Sequence, residues 1–306
     1  MEILPLNERI LPLAEDYVFK AVLTHPNAKP ALMDLISAVI GRNVEDVSIR
    51  NNELPSTDTE EKNQRLDVNC VIDDGSQVNV EMQGSKTEGL DGGRKTLINK
   101  SIYYLTDLHS TQPSKGIKYE DLVSTYQITF CTYNIFDSNG YITYASLRTD
   151  TGLQISDQVH LIFIELSKLD NIINKSIDEM TPIEMWSAFL AYSADPAKRK
   201  LLNKVLSRKE AIAMAGTVLA EISKDEHERA KRMSQRKWET DMQNNYLVGK
   251  DVGKAEGKAE GIAEGITKGK AEGKAAIAKK LKNMGTMSNA QIAELTELSI
   301  KEIEKL

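Results

Sequence analysis

The sequence predicts an α/β core followed by an all-helical C-terminal region, and three observations predict it. Residues 66–83 read as two short strands around an Asp-Asp-Gly turn, each alternating apolar with polar side chains. Helical periodicity brackets this hairpin, and three further strand-like runs come after it. Past Leu169 only helical patterns remain, and they run into a four-residue glycine repeat.

In chain order, residues 12–24 and 30–41 carry apolar side chains at helical spacing: Phe19, Val22 and Leu23, then Leu32, Leu35, Ile36 and Val39. His25-Pro26-Asn27 breaks between them, and Gly41 ends the second helix. A strand fits within 44–54, and 56–64 is a polar connector. Residues 90–110 read as a helix carrying Ile98, Ile102, Leu105 and Leu108. The strand-like runs are 124–133, 140–147 and 158–166. Thr181-Pro182-Ile183-Glu184 is a capping box with Pro at the first helical position, and 185–206 is apolar on one face. Residues 208–246 form a long charged run whose charges read as a solvated helix face.

The hairpin repays closer reading. Leu66, Val68, Cys70 and Ile72 share one face of its first strand; Val78, Val80 and Met82 share one face of its second. A slip of one residue would send a strand's whole side-chain set to the other face. A two-residue Asp74-Gly75 loop would set Val68 against Glu81 and mix the faces. A three-residue Asp73-Asp74-Gly75 loop, with Gly75 left-handed, pairs Val68 with Val80 and Cys70 with Val78. That register places Asp67 across from Glu81, with Gln83 beside it. Like charges directly opposite each other are destabilising, so the apposition points to a cation. By residue type alone, two acids on a polar strand face are also ordinary solvated charges.

Asp, a turn, then Glu-x-Lys resembles the PD-(D/E)xK nuclease superfamily; here it stands as Asp67…Glu81-Met82-Gln83, with Gln in place of Lys. The form Arg65-Leu66-Asp67-Val68…Val80-Glu81-Met82-Gln83 resembles the Rpn (recombination-promoting nuclease), or PD-(D/E)xK transposase-like, branch, which commonly carries Glu-x-Gln. Glu15-Asp16-Tyr17-Val18-Phe19-Lys20 resembles the branch's first-helix motif. Tyr103-Tyr104-Leu105-Thr106-Asp107-Leu108 and Tyr119-Glu120-Asp121-Leu122 resemble later segments, and the glycine repeat and tail complete a collinear likeness over nearly the whole chain.

The resemblance implies a restriction-endonuclease-like core, a mixed sheet flanked by helices, over residues 1–170. It implies a Mg²⁺-dependent DNA endonuclease, with Mn²⁺ able to substitute, and roles in recombination, mobile-element or phage-defence biology. Asp67 and Glu81 would hold the metal with the Met82 carbonyl and Asp16, their carboxylates converging on one ion, while Gln83 positions water. Because Gln can hydrogen-bond but carries no charge, a cation is expected from Lys86, Arg94 or Lys100, which would also contact DNA phosphates. The alternative is a catalytically inactive nuclease-fold protein acting as an oligomerising interaction or DNA-binding module.

Composition sets limits. With 306 residues, 41% hydrophobic and 27% charged, the chain has room for one substantial core plus an appendage. A net charge of −6 argues against a wholly basic nucleic-acid surface but leaves a local basic groove open. Cys70 and Cys131 sit in apolar strand patterns and read as buried free thiols, which suits a reducing cytoplasm; no stretch reads as a signal peptide or a membrane span. His25, His109, His160 and His227 lack metal-ligand spacing, and no phosphate-binding glycine loop follows a strand.

A helical extension is expected over 171–248, a spacer over 249–274 and a small helix-turn-helix-like tail over 275–306. Gly249, Gly253, Gly257, Gly261, Gly265, Gly269 and Gly273 recur every four residues. Each costs a helix about 1 kcal/mol relative to Ala, so two readings stand: a semi-flexible spacer, or a helix whose glycines let a second helix approach, giving a homo-oligomer. In the tail, Ser288…Gln291 and Ser299…Glu302 are capping boxes. Glu294, Glu297, Glu302 and Glu304 make a poor phosphate footprint, so the tail serves protein interaction at least as well as DNA.

Overall fold

A computed structural model describes residues 2–50, 67–84, 92–112 and 118–306. Helices α1 (Asp16–Leu23) and α2 (Lys29–Ile40) are followed by β1 (Val47–Ile49), β2 (Val68–Ile72) and β3 (Gln77–Gln83). Then come α3 (Gly92–Ser110), β4 (Thr125–Cys131), β5 (Ile142–Ser146) and β6 (Val159–Glu165). The chain continues through α4 (Pro182–Tyr192), α5 (Arg199–Arg208), α6 (Glu210–Lys224), α7 (Glu226–Met284), α8 (Asn289–Thr296) and α9 (Ile300–Lys305).

The strands form one mixed sheet in the order β1-β2-β3-β4-β6-β5. β3, β4 and β6 run parallel at its centre, and the β1–β2, β2–β3 and β5–β6 pairs are antiparallel. The hairpin has the register that side-chain parity predicts: Val68 faces Val80 and Cys70 faces Val78. Gly75 takes φ 83°, the left-handed conformation its loop demands, and its N–H donates to the Ile72 carbonyl at 2.8 Å.

The two faces of the sheet differ in chemistry. Val68, Cys70, Val78, Val80, Met82, Ile128 and Phe130 turn to one side and join a single core with α1, α2, α4, α5 and α6. Fully covered Trp186 of α4 belongs to this core, so the helices after residue 170 share the hydrophobic interior of the sheet. The other face carries Asn79, Gln127 and Thr129, all buried. α3 covers it, and that explains a departure from the expected helix face. The inward stripe of α3 is Leu97, Ser101, Leu105 and Leu108, while Ile102 is exposed. A helix over a polar sheet face turns Ser101 inward among its leucines, where its hydroxyl meets Thr129 Oγ1 at 3.3 Å.

The chain divides into two compact units, Met1–Ser234 and Gln235–Leu306. In the second, the glycine repeat is helical throughout, within α7, and open space surrounds every one of its glycines. Ala278, Ile292 and Ile303 form a small core at the end of α7 with α8 and α9. Both predicted capping boxes are present there, and Lys282 Nζ donates to the Ile303 and Glu304 carbonyls at 2.8 and 3.1 Å. No helix among the described residues is long and apolar enough to cross a membrane.

A three-residue core leaves little reserve. Ile292→Ala should cost about 2–5 kcal/mol and expose the α8 and α9 amides to hydrogen exchange, while β3 and β4 keep their protection. Uniform loss of protection along the chain would refute the independence of this small core.

Candidate active site

The hairpin acids meet where β2 begins and β3 ends. Asp67 stands one residue before β2, and its backbone N–H donates to Glu81 Oε1 at 3.2 Å. In return, the Met82 N–H donates to Asp67 Oδ2 at 2.8 Å. Strand alternation turns a residue's carbonyl to the same edge as its N–H, so the Met82 carbonyl also faces the β2 edge of β3. Glu81 is 6% exposed. Its Oε1 accepts a second hydrogen bond from Asn79 Nδ2 at 3.0 Å, and Asn79 donates on to Gln127 Oε1 at 2.9 Å.

Two further elements complete the site. Asp16, the first residue of α1, hydrogen-bonds the Asp67 carboxyl. Its approach depends on Gly84, just past β3, where a Cβ would stand 2.6 Å from the Ala14 carbonyl oxygen. From α3, Lys100 Nζ reaches Glu81 Oε2 at 3.4 Å and lies 5.1 Å from the centre of the Tyr104 ring.

The electrostatics follow from this crowding. Burial holds the Asp67 carboxyl far above the ordinary carboxylate range; the charges of Glu81 and Asp16 and the hydrogen bond with Asp16 push the same way. Burial alone would lower the Lys100 ammonium, but the charges of Glu81, Tyr104 and Asp67 outweigh it and leave its pKa raised. The site therefore joins three acids to one cation.

Residues 13–247, which include every element of this site, match the family model for PD-(D/E)XK nuclease family transposases. The chain belongs to that family. No curated protein and no solved structure is found to match the chain.

Membership makes the chain a nuclease-family protein with the predicted mixed-sheet core, and PD-(D/E)XK nucleases typically use divalent metals. The residues here fit such an ion, with one correction to the sequence reading. Among the described residues no three His, Cys, Asp or Glu side chains form a ready metal cage. The physical reason is that Glu81 is turned toward the Asp67 N–H, Asn79 and Lys100. Mg²⁺ does not require such a cage, because it is commonly held by one or two carboxylates together with waters and substrate phosphates. Asp67, Glu81 and the Met82 carbonyl make a hard oxygen donor set of that kind, and the crowding that keeps Asp67 protonated is what a cation would relieve.

Of the remaining predicted residues, Gln83 shares the strand face of Glu81 and is half-buried. Arg94 Nη1 pairs with Asp137 at 3.1 Å, largely in solvent, and its guanidinium lies 5.4 Å from the Phe136 ring centre. Lys86 lies outside the described residues. Sequence reasoning missed Asn79, Tyr104 and Gly84. Asn79 left a local trace, since alternation sets it on the strand face of Glu81, and Tyr104 stood in a quoted motif without a role; Gly84 left none.

Asp67 binds its proton more tightly in the fold than in the unfolded chain. Its contribution to stability is therefore complete below the ordinary carboxylate range and falls as pH rises through neutral. Urea titrations of the metal-free protein should show stability declining from pH 5 to pH 8, with a slope of at most about 1.4 kcal/mol per pH unit for the one proton. Asp67→Asn should flatten that slope, and an equally steep slope in the variant would rule out Asp67 as its source.

Proposed function

We propose that the chain is a Mg²⁺-dependent DNA endonuclease, Mn²⁺ substituting, that hydrolyses phosphodiester bonds at the Asp67–Glu81 site. The observation carrying this reading is the buried apposition of Asp67 and Glu81 across the hairpin, tied to each other's strand by the Asp67 and Met82 N–H groups. Asp67, Glu81 and the Met82 carbonyl would hold the ion, with Asp16 beside them. Such an ion, when bound, polarises a phosphoryl oxygen and lowers the pKa of a coordinated water.

Lys100 answers the gap left by Gln83. It brings a positive charge from α3 to Glu81, on the strand face that Gln83 shares, and there it offsets charge gathering on the phosphoryl oxygens. Gln83, with one donor group and one acceptor, orients the attacking water. Arg94, held by an exposed ion pair of the sort worth at most about 1 kcal/mol, is free to exchange Asp137 for a DNA phosphate, and Lys86 would add a second contact. The transposase affiliation supports a cytoplasmic role in DNA cleavage that promotes recombination, or in mobile-element or phage-defence biology. Residues 249–274 then act as a helical spacer to the 275–306 tail, through which copies associate.

Supercoiled plasmid should be nicked with Mg²⁺ or Mn²⁺ and left intact with chelator. Asp67→Ala should abolish nicking, and Lys100→Met should slow it by on the order of 10²–10³, the usual loss for one electrostatic stabiliser. Equal cleavage by wild type and Asp67→Ala would sink the catalytic reading.

A further inference from the structure

α1 begins without a side-chain cap. Glu15 occupies the N-cap position in an extended conformation, yet its side chain makes no capping hydrogen bond, and Glu is not among the residues that cap well. The carboxylate is turned to α7 instead. Arg232 Nε donates to Glu15 Oε2 at 2.5 Å and Arg232 Nη2 to Oε1 at 2.6 Å, a two-point grip whose Arg side chain is only 9% exposed. Two residues further on, the Tyr17 hydroxyl donates to Glu228 Oε2, and Glu228 also pairs with Lys231 at 2.7 Å. Asp16 stands between these two tethered residues. The chain before it lies against Gly84 just past β3, so the opening turns of α7 and the end of β3 both contact one short segment.

We propose that Arg232, gripping Glu15 at two points, is a positioning residue that sets Asp16 for the divalent cation, making the opening of α7 part of the site. This rests on the metal reading above. The reasoning is steric. Asp has a short side chain, so where its oxygens fall is decided mainly by the backbone of the first helical turn. That turn has no cap, and the first turn of a helix is where fraying occurs. A guanidinium fork fixes orientation as well as distance; an ammonium in its place would give only a point charge. The family match agrees with this extent, continuing to residue 247, well past Arg232. It also explains why a poor capping residue occupies position 15: the carboxylate serves a partner 217 residues away.

The test is Mn²⁺ binding to the full-length chain, followed by electron paramagnetic resonance. Wild type is compared with Arg232→Gln, Glu15→Gln, their double variant and Arg232→Lys, each repeated in an Asp16→Asn background. Loss of a residue that orients a ligand typically weakens metal binding 10–100-fold, so each Gln variant should weaken Mn²⁺ binding by about 10–100-fold. The double variant should be no weaker than either single, and Arg232→Lys should fall between. In the Asp16→Asn background none of these changes should weaken binding further. A merely structural role would lower the melting temperature and leave Mn²⁺ affinity alone, so wild-type affinity in Arg232→Gln, or in Glu15→Gln and Arg232→Lys should that variant not fold, overturns the proposal. An undiminished further loss in the Asp16→Asn background overturns it too. Wild type that binds no Mn²⁺ overturns the metal reading itself and this inference with it, a result distinct from failure of the clamp alone.

Discussion

Two carboxylates that repel each other across a strand pair are the constraint around which the first unit is arranged. Asp67 and Glu81 are kept in place because each accepts a backbone N–H from the other's strand. Those bonds exist only in the register that puts Val68, Cys70, Val78 and Val80 in the apolar core. Hydrophobic burial thus enforces an unfavourable electrostatic contact. A shift of one residue would relieve the repulsion but would turn the apolar side chains of β2 toward the polar face under α3. Burying one such side chain stabilises by about 1.5–3 kcal/mol, and Asp67 eases the repulsion by keeping its proton, so the core prevails.

The polar face follows from the same constraint. A buried carboxylate needs hydrogen bonds on more than one side, and Glu81 obtains them from Asn79, the Asp67 N–H and Lys100. Asn79 in turn requires Gln127, whose Nε2 reaches Thr129 Oγ1 at 3.3 Å. The acids thereby propagate polarity across β3 and β4 to Ser101. α3 meets this patch with matching polar side chains, Ser101 and Lys100, while beside it Leu97 packs with Cys131, Ile135 and Phe163.

This explains which parts of the molecule were legible in the sequence. The hairpin register was legible because parity and Gly75 are local, and so were the capping boxes at Thr181, Ser288 and Ser299. The sheet order was not, since a strand's own pattern does not name its neighbour; nothing in 124–166 says that β6 lies between β4 and β5. The inner face of α3 was legible in Leu105 and Leu108, but not in Ser101, which meets the polar patch, nor in Ile102, which is exposed. Among the candidate cations, only geometry brings Lys100 to Glu81. The Glu15–Arg232 grip was beyond reach for the same reason as the sheet order: each residue looks like an ordinary surface charge until the fold joins them.

The glycine repeat poses the opposite problem, a helix that its own sequence disfavours. Seven interior glycines cost about 7 kcal/mol in total relative to Ala, and the four-residue period adds to this. It stacks Lys254 over Lys258, Glu260 over Glu264 and Lys270 over Lys274, and like charges four residues apart repel on a helix surface. Nothing lies close to the glycines to offset their cost, although Lys274 pairs with Glu297 and Glu264 precedes Lys268 by four residues. The support comes from either side of the repeat: Arg232 and Glu228 are engaged in the first unit, and Ala278 sits in the small core of the second. Helices in proteins draw most of their stability from such tertiary contacts, and elongation from a formed turn avoids the cost of a new nucleus. A repeat stabilised in this way remains a helix only while its flanking turns are held, which gives the opening of α7 a structural role as well as the one proposed for it at the active site.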